Sequence, residues 1–218
     1  MKLDTKTVNV LKNFSTINPS MLFCEGNTLK TISPTKTVMA KANIDTLINK
    51  KFAIYNLGKL LSTLSFYDNP EIELHDTNLV ISNGNGSSTT LAYADEATIK
   101  TPPNRDITLP SVDAEFKISS NALNNILKML GTLGLPEIAI VGDGEKLFVS
   151  AIDSKNLNSE YHTEQVGTTS RTFRAIFKAE NIKLIPGDYD VSVSSKGISY
   201  FKGADAEYWI AVEQNSTF

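Results

Sequence analysis

The chain has 218 residues and a mass of 23.9 kDa, with 21 Lys and Arg against 24 Asp and Glu, two His and a formal net charge of −3. A hydrophobic share of 41% with 21% charge excludes a disordered chain and fits one large domain or two of about a hundred residues each. The near-neutral charge excludes nucleic-acid binding through bulk basicity, so any basic surface must be local; a single cysteine, Cys24, excludes a disulfide framework and suits a reducing cytoplasm.

Val8, Leu11, Phe14 and Ile17 recur at three-residue steps and predict an amphipathic helix over Thr5–Ile17, with Lys6, Asn9, Lys12, Asn13 and Thr16 on or near its polar face. Short strands are expected around Met21–Cys24, where Cys24 reads as a small buried apolar residue, and at Thr28–Ile32 and Val38–Ile44. Phe52–Tyr55 is extended and leads into a second helix, Leu57–Phe66, with Leu57, Leu60, Leu61 and Leu64 on one side and Lys59, Ser62 and Thr63 outside. Alternation in Glu71–His75 marks a half-buried strand; Asn78–Ser82, the tight turn Asn83-Gly84-Asn85-Gly86 and a strand over Ser88–Ala94 follow. Thr101–Pro110 then breaks the rhythm with three prolines, which favour extended backbone without ladder donors. It reads as a domain connector, in which Ile107 and Leu109 are apolar residues that a solvated linker does not need.

The plan repeats after the connector. A strand at Glu115–Ile118 precedes a helix over Ser119–Leu130, capped by Ser119 or Ser120 and carrying Leu123, Ile126, Leu127 and Leu130. Glu137–Val141 and Lys146–Ile152 form a hairpin and Ser159–Val166 a third strand. Thr172–Phe177 leads to a short fourth helix, Lys178–Ile185, stopped by Pro186-Gly187-Asp188, and the strands Tyr189–Ser194, Ile198–Phe201 and Glu207–Glu213 complete the chain. Helix starts recur at intervals of roughly fifty to sixty residues, the signature of an internal repeat. The expected organisation is a domain over 1–100, a connector over 101–112 and a second domain over 113–218.

No apolar run approaches the roughly eighteen residues needed to span a bilayer, so neither signal peptide nor membrane anchor is expected. Reactive constellations are not found either. His75 and His162 sit at alternating strand positions in different domains without a Cys or His near in sequence, so no metal is expected. The glycine-rich run Asn83–Ser87 lies between strands and has no Lys-Ser/Thr, which makes it a hairpin rather than a phosphate loop. Glu71 and Glu73 share a strand face, as a glycosidase pair does, but solvent-facing strand carboxylates are far commoner. The expectation is a protein that binds or assembles, with no cofactor and no catalysis of its own.

The repeated unit, the proline-bearing connector and the stretches Met1-Lys2-Leu3, Leu11-Lys12-Asn13-Phe14-Ser15-Thr16-Ile17-Asn18, Ala53-Ile54-Tyr55-Asn56-Leu57, Pro186-Gly187-Asp188-Tyr189 and Tyr208-Trp209-Ile210-Ala211-Val212-Glu213 resemble the DNA sliding clamps of T-even-type bacteriophages, relatives of proliferating-cell nuclear antigen. The resemblance runs from end to end and lies in the order and spacing of the blocks. It implies an α+β DNA clamp fold: two similar domains, each of two strand-helix-strands units, with antiparallel sheets outside and four helices on the inner face. It also implies a closed homotrimeric ring around duplex DNA that tethers the replicative polymerase and confers processivity. Implied partners are double-stranded DNA without sequence preference, the DNA polymerase, an ATP-dependent clamp loader and, in the family, late-transcription factors. The implied location is the cytoplasm of the infected bacterial host. A non-enzymatic structural or assembly protein of a phage particle is the alternative, since short strands with tight turns also suit stacking sandwiches.

On this resemblance Lys6, Lys12, Lys59, Lys128 and Lys178 face DNA, with Asn9, Asn13, Asn124 and Asn125 as weaker contacts and Lys2 and Lys183 as further candidates. A sliding protein needs phosphate attraction without base readout, which Lys and small polar side chains provide. The competing reading of each Lys is ordinary solvation on a polar helix face. A partner-peptide pocket is implied at Ile107, Leu109, Pro110, Trp209 and Ala211, with Val38 and Ala40; for Trp209 core packing competes. Ser88–Ala94 and Ser159–Val166 look like free edge strands whose pairing across a subunit boundary would bring Leu91, Tyr93, Tyr161 and Val166 to the interface; pairing within their own sheets is the other possibility.

Overall fold

A computed structural model describes every residue except Asp106 and Leu157, so the connector expected over 101–112 contains one residue, Asp106, outside the described set. The chain divides into two compact units, Met1–Asn104 and Arg105–Phe218.

In the first unit, α1 (Thr5–Ile17) buries Val10, Leu11, Phe14 and Ile17 and packs against α2 (Leu57–Phe66) and the long strand β3 (Val38–Ile48). Full burial of each such side chain contributes about 1.5–3 kcal/mol, so this stripe decides which way α1 faces. Asp4 caps the helix at its start, and the buried Asn18 ends it by donating Nδ2–H to the Ile32 carbonyl at 2.9 Å. β2 (Gly26–Ile32) pairs with β3 as a hairpin, and the short β1 (Met21–Phe23) pairs antiparallel with β4 (Phe52–Ile54). A meander of β5 (Glu71–Leu74), β6 (Asn78–Ser82) and β7 (Ser88–Ala92) completes the unit, its second turn carried by Gly84 and Gly86 at φ +77° and +82°.

The second unit opens with β8 (Ala114–Ile118) and α3 (Ser120–Leu133), whose apolar side (Ala122, Leu123, Ile126, Leu130) packs on β9 (Glu137–Asp143), β10 (Lys146–Ile152) and β11 (His162–Thr168). Ser119 caps α3, and Gly134 closes it in the left-handed region at φ 64°. β12 (Thr172–Lys178) joins these strands in an antiparallel sheet ordered β11-β10-β9-β12. A further antiparallel ladder runs β15-β14-β13-β8, with β13 at Tyr189–Ser194, β14 at Ile198–Lys202 and β15 at Glu207–Ala211.

The α+β class and the repeated strand-helix-strands plan hold, with one correction: among the described residues there are three α-helices, not four. Lys178–Ile185 is a single 3-10 turn at Ala179–Asn181 followed by irregular backbone. One turn offers little against the cost of helix nucleation, and tyrosines compete for the backbone. The Tyr208 hydroxyl accepts from the Ile185 N–H at 3.1 Å, and the Tyr189 hydroxyl donates to the Ile185 carbonyl at 2.5 Å. Burial, foremost, pushes the Tyr189 phenol up to about 12, so it stays a neutral donor at physiological pH. A second correction concerns Cys24, which lies just beyond β1 and is exposed instead of buried. The strand expected at Ser159–Val166 runs over His162–Thr168, which leaves Tyr161 ahead of it. No helix among the described residues is long and apolar enough to cross a membrane.

Candidate nucleic-acid and partner surfaces

Exposure on the helices is as periodic as burial. On α1 the exposed positions Thr5, Asn9, Lys12 and Thr16 fall at i, i+4, i+7 and i+11; on α3 Asn121, Asn124, Lys128 and Thr132 fall at i, i+3, i+7 and i+11, with Gly131 exposed beside the last. On α2 Gly58, Lys59, Ser62, Ser65 and Phe66 are exposed. Lys6, Asn13 and Asn125 are half-buried at the margins of these faces. The three α-helices contain no Asp or Glu, although the chain has 24. Lys12, Lys59 and Lys128 therefore have no carboxylate on their own helix to neutralise them, and each face offers a cation among small polar side chains.

Other expected DNA contacts stand apart from these faces. Lys178 is exposed but ends β12, since the helix expected to carry it does not form. Lys2 precedes α1 and pairs with Glu71 at 3.2 Å, and Lys183 is half-buried after the 3-10 turn. Phe66 was not singled out from sequence. It is 77% exposed, edge-on to Tyr67 at 5.1 Å, and seven residues after Lys59, so it projects from nearly the same side of α2. Its place on the helical wheel, opposite Leu57, Leu60 and Leu64, was the available signal.

The negative charge nearest α1 is built into its cap. Asp4 Oδ1 accepts from the Thr7 N–H at 2.8 Å, and Oδ2 accepts from the Thr7 and Thr46 hydroxyls at 2.6 Å each. Desolvation alone would raise the carboxyl; hydrogen bonds from Thr46 and Thr7 outweigh it and hold Asp4 well below the usual carboxylate range. A depressed folded-state pKa stabilises the fold fully above the unfolded value of about 3.9 and is lost as pH falls through the folded value. Asp4→Ala is therefore expected to cost about 1 kcal/mol at pH 7 in thermal or urea unfolding. The difference from wild type should shrink as pH falls below about 4; a gap that stays constant into acid would show that Asp4 acts by something other than its charge.

The proposed pocket residues divide. Ile107 and Leu109 are half-buried and Pro110 is exposed. Trp209 and Ala211 lie two apart on β15; Trp209 is 8% exposed and its ring lies tilted against that of Tyr200, its cross-strand neighbour on β14, at 5.1 Å, while Ala211 is half-buried. Val38 and Ala40, on β3 of the first unit, are 2% and 0% exposed. They occupy inward positions of an alternating strand, so their side chains belong to the core and present nothing to a ligand.

Both expected free edges are edges: β7 ends the meander of the first unit, and β11 ends its sheet in the second. Neither strand carries the Lys or Pro that usually guards an exposed edge. The side chains depart from expectation at Leu91, which is 9% exposed and part of the core because its position on β7 faces inward. Tyr93 follows the strand, half-buried and stacked on Phe52 at 5.4 Å. Tyr161 is 71% exposed and Val166 half-buried.

Residues 2–100 match the family described as DNA polymerase processivity factor, and residues 115–214 match the family described as gp45 sliding clamp, C terminal. The chain is 30% identical over 219 residues to the sliding clamp of Vibrio phage KVP40, covering 98% of this chain and 99% of that one. It is 31% identical over 229 residues to the sliding clamp of Escherichia phage RB69, covering 100% and 99%. In three dimensions it is similar to proliferating-cell nuclear antigen of Thermococcus kodakaraensis, with a TM-score of 0.69 at 14% identity over 97% of this chain and 98% of that one. A Helicobacter pylori beta clamp bound to a DNA ligase peptide aligns with a TM-score of 0.71 at 11% identity over 98% of this chain and 65% of that one. These distant likenesses concern the fold.

Proposed function

Because this chain belongs to the sliding-clamp family of T4-like bacteriophages, we propose that three copies join head to tail into a closed ring around duplex DNA. The protein acts as a clamp that tethers a DNA polymerase to its template and so confers processivity. The observation that carries the DNA-facing side is the absence of any Asp or Glu from α1, α2 and α3 in a chain with 24 of them. Acid kept off the α-helices directs the phosphate backbone to them and away from the rest of the surface, and Lys with Asn attracts phosphate without fixing a register. Lys12, Lys59 and Lys128 with Asn9 and Asn124 form the DNA-facing set, and Lys6, Asn13 and Asn125 sit at its margin. An ATP-driven loader opens the ring, the site of action is the cytoplasm of the infected bacterium, and late-transcription factors are further candidate partners. The protein has no catalytic activity of its own; His75, just past the end of β5, and His162, at the start of β11, serve as surface groups.

Subunit contacts join β7 of one copy to β11 of the next, because a strand pair across the boundary satisfies both open edges at once. A heterologous contact of this kind closes only at a fixed rotation. Light scattering across micromolar concentrations should plateau near three times the 23.9 kDa protomer. A mass that rises without a plateau would favour an open-ended stacking protein instead, and a monomer at every concentration would remove the ring.

A further inference from the structure

Each of the two sheets with an open edge also has a closed one, and in the second unit the closure is extensive. Residues 213–217 run along β12, the edge opposite β11. Arg174 N–H donates to the Thr217 carbonyl at 2.8 Å and Thr217 N–H returns a bond to the Arg174 carbonyl at 2.9 Å. Glu213 N–H donates to the Ile176 carbonyl at 2.8 Å, and Ile176 N–H donates to Ser216 Oγ at 2.9 Å. The outward main-chain groups of Arg174 and Ile176 are thus all taken. Asn215 Nδ2–H donates to Ser154 Oγ at 2.9 Å, and Phe218 lies parallel to Phe173 at 6.4 Å, which in turn stacks on Phe116. The first unit does the same on a smaller scale. Ile72 N–H, on β5, donates to the Met1 carbonyl at 2.8 Å, and the Met1 nitrogen donates to the Ile72 carbonyl.

We infer that residues 213–218 form a strap that confines copy-to-copy strand pairing in the second unit to β11, and so makes assembly directional. The inference rests on the ring proposed above and goes beyond it by assigning the choice of edge. A sheet open on both sides can accept a strand on either, and a second copy added to β12 would start a branch that no rotation closes. With β12 occupied, β11 is the one open edge of that sheet. Asn215 and Phe218 hold the strap by side chains, and Ser216 and Thr217 supply the partners for the edge itself. β8, the end of the other ladder in this unit, is guarded differently, by the exposed charges of Glu115 and Lys117.

Two strap variants test this: deletion of residues 215–218, and Thr217→Pro, which removes the donor to the Arg174 carbonyl while keeping Phe218. Light scattering against concentration is read for each beside its thermal melt. The expected result is that wild type plateaus while both variants, still melting cooperatively, gain mass above the wild-type plateau as concentration rises. Arg174→Pro in the deletion background removes the outward donor of the exposed edge, a position where proline is compatible with a strand, and should restore the plateau. A cooperatively melting variant with the wild-type plateau would overturn the strap. If the deletion alone fails to melt cooperatively, Thr217→Pro decides by the same readout. A wild type that never plateaus at three protomers would overturn the ring instead, and the strap would then be judged by whether its removal raises the mass further.

Discussion

With Lys12, Lys59 and Lys128 all replaced by Glu, the ring should form with unchanged mass and stability, while polymerase processivity falls by on the order of tenfold or more. The three lysines are exposed and one stands on each helix, so their replacement should shift folding by no more than about 0.5 kcal/mol apiece. In a ring of three copies every substitution is repeated three times around the hole, and each reversal removes one attraction to phosphate and adds one repulsion. Primer extension on a circular template, with the loader and polymerase of a T4-like phage, reads the effect as product length. Raising the salt should shorten wild-type products more steeply than those of the variant, which has fewer counterions to release. Lys178→Glu should act more weakly, because Lys178 stands at the end of β12 and not on an acid-free helix face. Unchanged product lengths for the triple variant at moderate salt would take these lysines out of the DNA path.

How far the sequence could be read tracks how local each determinant is. The bounds of α1 and α2 were legible because stripe and cap are contiguous: Asp4 with Val10, Leu11, Phe14 and Ile17, and Asn56 with Leu57, Leu60 and Leu64. α3 runs three residues past Leu130 because it stops only where Gly134 takes the left-handed conformation. The fourth helix was misread because its competitor is distant in sequence. The apolar spacing of Ala179, Ile182 and Ile185 suits a helix, but Tyr208 and Tyr189 claim the backbone of Ile185. Parity explains the strand errors. Leu91 takes an inward position on β7, and Tyr93, just past the strand's end, continues the same parity; burial follows from the sheet's position, which residue type does not report. The polar helix faces were recoverable from periodicity alone, whereas the Tyr200–Trp209 ring contact depends on the β14–β15 register.

That ring contact separates two substitutions that the sequence alone treats alike. Leu109→Asp is expected to weaken binding of the polymerase's C-terminal peptide by more than about tenfold, roughly 1.4 kcal/mol, with ring mass and melting unchanged. Leu109 is half-buried and precedes Pro110, so part of its side chain is open to a ligand while the proline disfavours any helical backbone there. A charge introduced there must be desolvated against an apolar anchor whenever the peptide binds, but stays hydrated when it does not. Trp209→Ala should behave differently. At 8% exposure Trp209 has little surface left to offer a ligand, and its removal leaves a cavity beside Tyr200, with an expected loss of about 3–5 kcal/mol of stability. Calorimetry with the peptide, run beside urea unfolding of both variants, distinguishes a groove wall from a core residue. Loss of peptide binding in Trp209→Ala without loss of stability would make Trp209 part of the groove. Equal peptide affinities for Leu109→Asp and wild type would move the partner site elsewhere and leave Ile107 and Leu109 as a packed connector.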